Sequence, residues 1–209
     1  MLSLLTILIS MTTNDKIIRD ALKDYLKKLH THDPKLRIVE EWGIQHGAAR
    51  VDVAVINGIL HGYEIKSDRD TLLRLPEQMD IYNSVFDRVT LVVGKSHLFD
   101  AINTVPDWWG ITIAKIDSDN SVVFSCIRVA KDNTKQDSVS IARLLWRDEA
   151  LDILERVGKA DGLRSKPRSF IYERLTETFD QRALEEKVRE VLFFREDWKS
   201  DAPLVLNGG

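Results

Sequence analysis

Two apolar runs joined by Asn57-Gly58 constrain this chain more than any other stretch. Val51, Val53 and Val55 alternate with Asp52, Ala54 and Ile56 before the turn, and a second run occupies 59–66, so the pattern reads as a β-hairpin. The second strand ends in Glu64-Ile65-Lys66, and side chains two apart on a strand share a face. Asp52 reaches that face in one register only. A two-residue Asn57-Gly58 turn pairs Ile56 with Ile59 and sets Val51 opposite Glu64, leaving Asp52 and Glu64 on opposite faces. Bringing the acids together requires one more loop residue, with Gly58 left-handed, or a bulge near Gly62. An irregularity is therefore expected at 57–59 or 61–63.

Two carboxylates and a lysine at the end of apolar strands are costly to bury unless they pair or bind an ion. Asp52 and Glu64 can hold Mg²⁺ (or Mn²⁺) through oxygen ligands, and Lys66 can orient or activate an attacking water. Asp52 followed by Glu64-x-Lys66 resembles the PD-(D/E)xK, or restriction-endonuclease-like, nuclease superfamily. Gln78-x-x-x-Tyr82 is similar to the glutamine–tyrosine motif of the branch with RecB and exonuclease-type members. The likeness covers residues 15–115 and is greatest to small bacterial and phage proteins with Glu-Ile-Lys-Ser at this strand end. Val51 stands where the family name puts proline.

The resemblance implies an α/β fold with a restriction-endonuclease-like core, α-β-β-β-α-β, whose mixed sheet is flanked by helices. It implies a metal-dependent nuclease acting on DNA, with Asp52, Glu64, Lys66, Gln78 and Tyr82 at the site. The competing reading makes Glu64 and Lys66 a solvated ion pair, Gln78 a surface amide and Tyr82 a packing residue. A catalytically silent nucleic-acid- or protein-binding module on the same fold is the alternative function.

Around this centre, Thr13 or Asn14 caps a helix running to about His30, whose Asp20 and Asp24 face solvent. A strand at 36–42 carries Glu40 and Glu41. Glu41 is taken as a further metal or water ligand, and two exposed strand-end glutamates are the other option. His46 and His61 lack partners at metal-ligand spacing and read as surface or hydrogen-bonded histidines. Ser67 and Asp70 form a capping-box pattern, and a short turn there is followed by a helix at 76–86. The apolar run 89–94 suits a strand buried on both faces and parallel to its neighbour. A short helix at 95–103 and a hairpin of 111–116 with 122–129 complete the core. Trp108 and Trp109 read as closing its edge rather than stacking on a base.

The division that follows is a tail or upstream extension at 1–14, a core at 15–130, a linker at 131–138 and a helical C-terminal region at 139–209. Helices are expected at 141–157, 167–179 and 180–198. Among 209 residues the formal charge is −3, so nucleic-acid affinity must come from a local patch. Arg50 and the loop residues Lys159, Arg164, Lys166 and Arg168 are the candidates, and a solvated loop is the alternative for the last four. Cys126 stands alone, which excludes an intrachain disulfide and fits a cytoplasmic setting. The apolar first ten residues are too short to span a bilayer and make a poor signal peptide, so no membrane partner is expected. Oligomeric state stays open, with a homodimer one option.

Overall fold

A computed structural model describes residues 13–196 and 198; apart from Thr13 and Asn14, the expected tail at 1–14 lies outside them. Helix α1 (Asp15–Leu29) starts where the Asn14 side chain accepts from the Ile17 N–H. Its Ile18, Leu22 and Leu26, four apart, are fully buried against the sheet, each contributing about 1.5–3 kcal/mol. Then come β1 (Arg37–Ile44), β2 (Ala49–Ile56), β3 (Leu60–Lys66), α2 (Leu75–Val85) and β4 (Arg88–Gly94). A 3₁₀ turn (Lys95–His97) leads to α3 (Leu98–Thr104), β5 (Gly110–Ile116) and β6 (Val122–Arg128). The remaining helices are α4 (Ser138–Ala142), α5 (Arg147–Arg156), α6 (Arg168–Thr178) and α7 (Gln181–Phe194).

The protein is thus of the α/β class, with a six-stranded mixed sheet in the order β1-β2-β3-β4-β5-β6 flanked by helices. β3, β4 and β5 run parallel, and the other neighbours are antiparallel. α1 covers one face through a cluster that includes Val53, Val55, Tyr63, Ile65 and Val92. On the opposite face α2 and α4 to α7 enclose a larger cluster with Ala54, Ile56, Leu91 and Val93. β4 is buried almost end to end because both faces are covered.

The hairpin takes the longer of the expected loops. Ile56 pairs with Leu60, residues 57–59 form the loop, and Gly58 adopts φ +97°, a left-handed value that costs glycine little. This register carries Asp52 toward Glu64. The β2–β3 ladder stops at Val53↔Tyr63, however, and beyond it β3 continues only against β4. In the opening, the Asp52 carboxylate accepts the Ile65 N–H at 2.7 Å, standing in for a backbone partner.

A second irregularity faces the first. The β1–β2 ladder pairs Glu40↔Val53 and Trp42↔Val51 but skips Glu41 and Asp52, and Glu41 has φ +49°. On both strands the residues entering the larger core change phase across this point: Val39 is followed by Trp42, and Val51 by Ala54. A left-handed non-glycine residue inside a strand costs on the order of 1–3 kcal/mol and turns its side chain out of the regular alternation.

Two expectations are corrected by tertiary contacts. The stretch 131–138 is no loose linker: Lys131 N–H bonds to Trp108 O, Asn133 N–H to Asp87 O and Asp137 N–H to Ser84 O, each at 2.8–2.9 Å. Its Asn133 side chain also donates to the carbonyls of Asn83 and Phe86. The C-terminal helices share one hydrophobic core with the sheet, so the chain does not split at 131–138 into core and appendage. The single helix expected at 141–157 is two, α4 and α5. Glu149 caps the second by accepting the Trp146 N–H at 2.7 Å, and the chain between them turns. The Ser67–Asp70 bonds, 2.6 Å from the Asp70 carboxylate to both the N–H and the hydroxyl of Ser67, close the short turn that precedes α2.

Candidate active site

Where β2 and β3 part, the sheet opens a cleft of about 510 Å³ lined by Asp15, Arg50, Asp52, Glu64, Lys66, Arg74 and Gln78 among others. α2 supplies one wall. Its Gln78 and Tyr82, four apart, both reach Glu64: Gln78 Nε2 donates to Oε1 at 2.8 Å, and the Tyr82 hydroxyl lies 2.6 Å from Oε2. That hydroxyl is also 2.8 Å from the Arg50 carbonyl, which anchors β2 beside it. Lys66 Nζ donates to Glu64 Oε1 at 2.6 Å and to Gln78 Oε1 at 3.1 Å.

Glu64 is 2% exposed and Lys66 9% exposed, so the solvated-pair reading does not hold. A carboxylate offers about four acceptor positions, and Glu64 uses three of them. One position on Oε2 is left. An ammonium has three donors, and Lys66 spends two, leaving one directed elsewhere. Burial, followed by the charge of Glu64, drives the Tyr82 phenol well above its ordinary value, so it stays a neutral donor.

α1 supplies the other wall, with a residue pair that sequence reading passed over. Asp15, Glu41 and Asp52 each offer a carboxylate oxygen, and the three lie within 4.8 Å of one another. Glu64 is not a member of this trio. Arg19, one turn after Asp15, is ion-paired to Asp15 and to Glu41 and lies 3.5 Å from Asp52. Arg50 approaches Glu41 at 3.6 Å. The left-handed backbone at Glu41 is what lets a strand residue join this group. Asp20 and Asp24 lie 58% and 70% exposed at their side chains, as expected of solvated acids.

The electrostatics show a site short of positive charge. Burial, and next the Glu64 charge, push the Asp52 carboxyl up to about 8 against the opposing pull of the Ile65 N–H. Burial likewise raises Asp15, with Arg19 pulling the other way. Asp15 Oδ1 and Arg19 Nε are buried without hydrogen-bond partners among the described residues. An unpartnered carboxylate oxygen beside two more, all hard donors, fits Mg²⁺ or Mn²⁺.

Position within the fold also depends on a knot behind the cleft. Asp68, just past Lys66, accepts from Thr13 Oγ1 at 2.8 Å and from Ser96 Oγ at 2.7 Å, and Asp68 N–H returns to Thr13 Oγ1 at 2.9 Å. Burial pushes Asp68 up, yet the bonds from Ser96 and Thr13 outweigh it and hold the carboxyl below its ordinary range. Thr13 thus ties the entry of α1 to the end of β3 instead of capping the helix.

Other expected residues separate. Arg164 pairs with Glu155 at 2.9 Å, and Lys166 lies over the Phe170 ring. Only Arg168 of the basic loop lines a cleft that also touches the 45–48 loop. His61 is hydrogen-bonded to Thr90 at 2.9 Å, and burial lowers its pKa to about 3. Trp109 is fully buried and donates to Asn83 at 2.8 Å, a core role. Sequence spacing could not reveal Asp15 and Arg19 as site residues, since their partners stand a strand or more away; the i, i+4 acid–arginine pair was the sole signal.

No helix among the described residues is long and apolar enough to cross a membrane. Protein cII of Enterobacteria phage P4 is 30% identical over 122 residues, 58% of this chain and 46% of that protein. The chain therefore spans about half the length of the curated relative it matches. A solved structure, the SPO1766 protein of unknown function from Silicibacter pomeroyi, is 20% identical, with a TM-score of 0.39 over 66% of this chain and 89% of that one. The sequence family described as Bacteriophage P4 protein cII matches residues 10–206, and to that family this chain belongs.

Proposed function

We propose that this protein is a metal-dependent nuclease with a restriction-endonuclease-like core, hydrolysing phosphodiester bonds in DNA in the cytoplasm. One observation carries the reading. Buried Glu64 and Lys66, charges too costly for a structural core, line with Asp15 and Asp52 the cleft that opens where two strands part, and Glu41 stands beside Asp15 and Asp52. The order α1-β1-β2-β3-α2-β4 is that of the proposed core.

Asp52 and Glu41, with Asp15, would hold Mg²⁺ (or Mn²⁺), and Glu64 lines the same cleft as Asp15 and Asp52. The ion when bound supplies Lewis-acid polarisation of the phosphate and a lowered water pKa. Lys66, fixed by Glu64 and Gln78, offers its remaining N–H to orient the attacking water and to offset negative charge developing on phosphorus. Gln78 and Tyr82 hold Glu64 in one rotamer. Arg50 and Arg74 at the cleft rim receive neighbouring phosphates.

The test is incubation of labelled single-stranded, duplex and branched DNA with Mg²⁺, Mn²⁺ or EDTA. Metal-dependent cleavage is expected, lost in Asp52→Asn and Glu64→Gln and reduced about 10²–10⁴-fold in Lys66→Ala. A folded Glu64→Gln protein that cuts at the wild-type rate would refute the assignment. DNA binding with no cleavage under any of these metals would favour the silent binding module.

A further inference from the structure

A second cleft, of about 320 Å³, lies across the 45–48 loop from the first and shares Ala48 with it. Its walls are Gln45, His46, Arg143, Arg168, Ser169 and Tyr172. The loop between the clefts is held in an uncommon shape, with positive φ at Gln45 (48°), His46 (61°) and Gly47 (86°). His46 stacks on Tyr172 at 5.7 Å between centroids, and Gln45 is tied to Ser84 of α2 at 2.9 Å. These contacts make the loop a fixed ridge.

Among the described residues, Arg143 and Arg168 are the only Arg, Lys, Asp or Glu side chains lining this second cleft, and both are exposed. Among the described residues neither pairs with a carboxylate, while Arg156, Arg164, Arg174 and Arg182 elsewhere in the helical region all do. The two arise from different elements, the end of α4 and the start of α6, and the helix break at 143–146 is what turns Arg143 outward. α6 carries no acidic residue in its first turn, so nothing there repels an anion. Two guanidinium groups that no described carboxylate pairs with, set in one concavity of a chain with net charge −3, present a local anion site.

Resting on the nuclease reading above, we infer that Arg143 and Arg168 form a phosphate-binding subsite. It holds the sugar–phosphate backbone of a nucleic-acid strand whose scissile segment lies in the acidic cleft. The strand passes from Arg50 and Arg74, over exposed Ala48, to Arg143 and Arg168. A small side chain at the crest lets the backbone pass closely. Ser169 and Gln45 offer neutral hydrogen bonds, suited to backbone rather than base-edge recognition.

The test measures binding by fluorescence anisotropy, in EDTA and over a salt series, of a short labelled single strand and of its duplex. Arg143→Gln/Arg168→Gln is compared with a charge-matched control, Arg156→Gln/Arg182→Gln, whose side chains lie elsewhere and are 77% and 88% exposed. Losing two phosphate contacts is expected to flatten the plot of log affinity against log salt by about 1.4 on the single strand or about 1.8 on the duplex. The control pair is expected to leave the slope unchanged. Unfolding midpoints of both variants check the fold, since neither target arginine carries an ion pair among the described residues. An unchanged slope in Arg143→Gln/Arg168→Gln, an equal loss in the control, or no wild-type binding to either probe overturns the subsite. Cleavage by wild-type protein is scored separately. Cleavage with an unchanged slope sinks the subsite and leaves the nuclease, whereas slope loss without cleavage sinks the nuclease and leaves a nucleic-acid track.

Discussion

Arg19 sits where three carboxylates need a cation, and the same residue sets how tightly a metal can bind. A guanidinium bonded to Asp15 and Glu41 and close to Asp52 offsets part of the trio's charge when no ion is present, so a divalent ion must compete with it. Arg19→Gln is expected to raise Mn²⁺ affinity several-fold by calorimetry while costing the metal-free protein about 1–3 kcal/mol, because partly buried acceptors lose their donor. Equal or weaker metal affinity would show that Arg19 holds the trio in place rather than opposing the ion. Asp52 gives the matching pH dependence. Its ordinary value is 3.8 and its folded value about 8, so between them the folded, metal-free protein carries a proton that the unfolded chain has lost. Stability from this group is complete below about pH 4 and is lost as pH rises toward 8, at up to about 1.4 kcal/mol per pH unit. Thermal melts in EDTA should show that decline, Asp52→Asn should flatten it, and Mn²⁺ should lift the melting point most near pH 8. A metal-free melting point that rises over this window would contradict the burial of the Asp52 carboxyl.

At the scale of elements, the β2–β3 loop fixes which face the chemistry occupies. A methyl group added at Gly58 would meet open space, but the backbone there has φ +97°, so Gly58→Ala is expected to cost about 1–2 kcal/mol through backbone strain alone. Cleavage at room temperature should persist, and denaturant midpoints measure the cost. A loss of activity with unchanged stability would mean that the loop touches substrate. This register was legible in sequence because period-two alternation and the demand for Asp52 and Glu64 on one face leave few solutions. Gln78 and Tyr82 were legible through helical spacing and resemblance. Asp15 and Arg19 were not, because a first-turn acid with an arginine four residues on is an ordinary surface pair until α1 is laid across the opening between β2 and β3. The break at 143–146 was hidden for a related reason: apolar periodicity runs through it, and only Glu149 capping Trp146 marks the new start.

For the whole molecule, one hydrophobic cluster joins the sheet, α2 and the C-terminal helices. A protein ending at residue 137 would therefore expose the faces of Trp42, Leu75 and Val85 that those helices cover. It is expected to bind a hydrophobic dye and to melt without a cooperative transition, as calorimetry would show; a sharply melting, dye-free fragment would restore the two-part division. Composition suggested a linker at 131–138 because the stretch is polar, and its polar groups instead bond to the backbone around the end of α2. That strap joins the helix carrying Gln78 and Tyr82 to residues far from the cleft. In a genetic screen, temperature-sensitive alleles should accordingly scatter through α4 to α7, while alleles dead at every temperature gather around Asp52, Glu64 and Lys66.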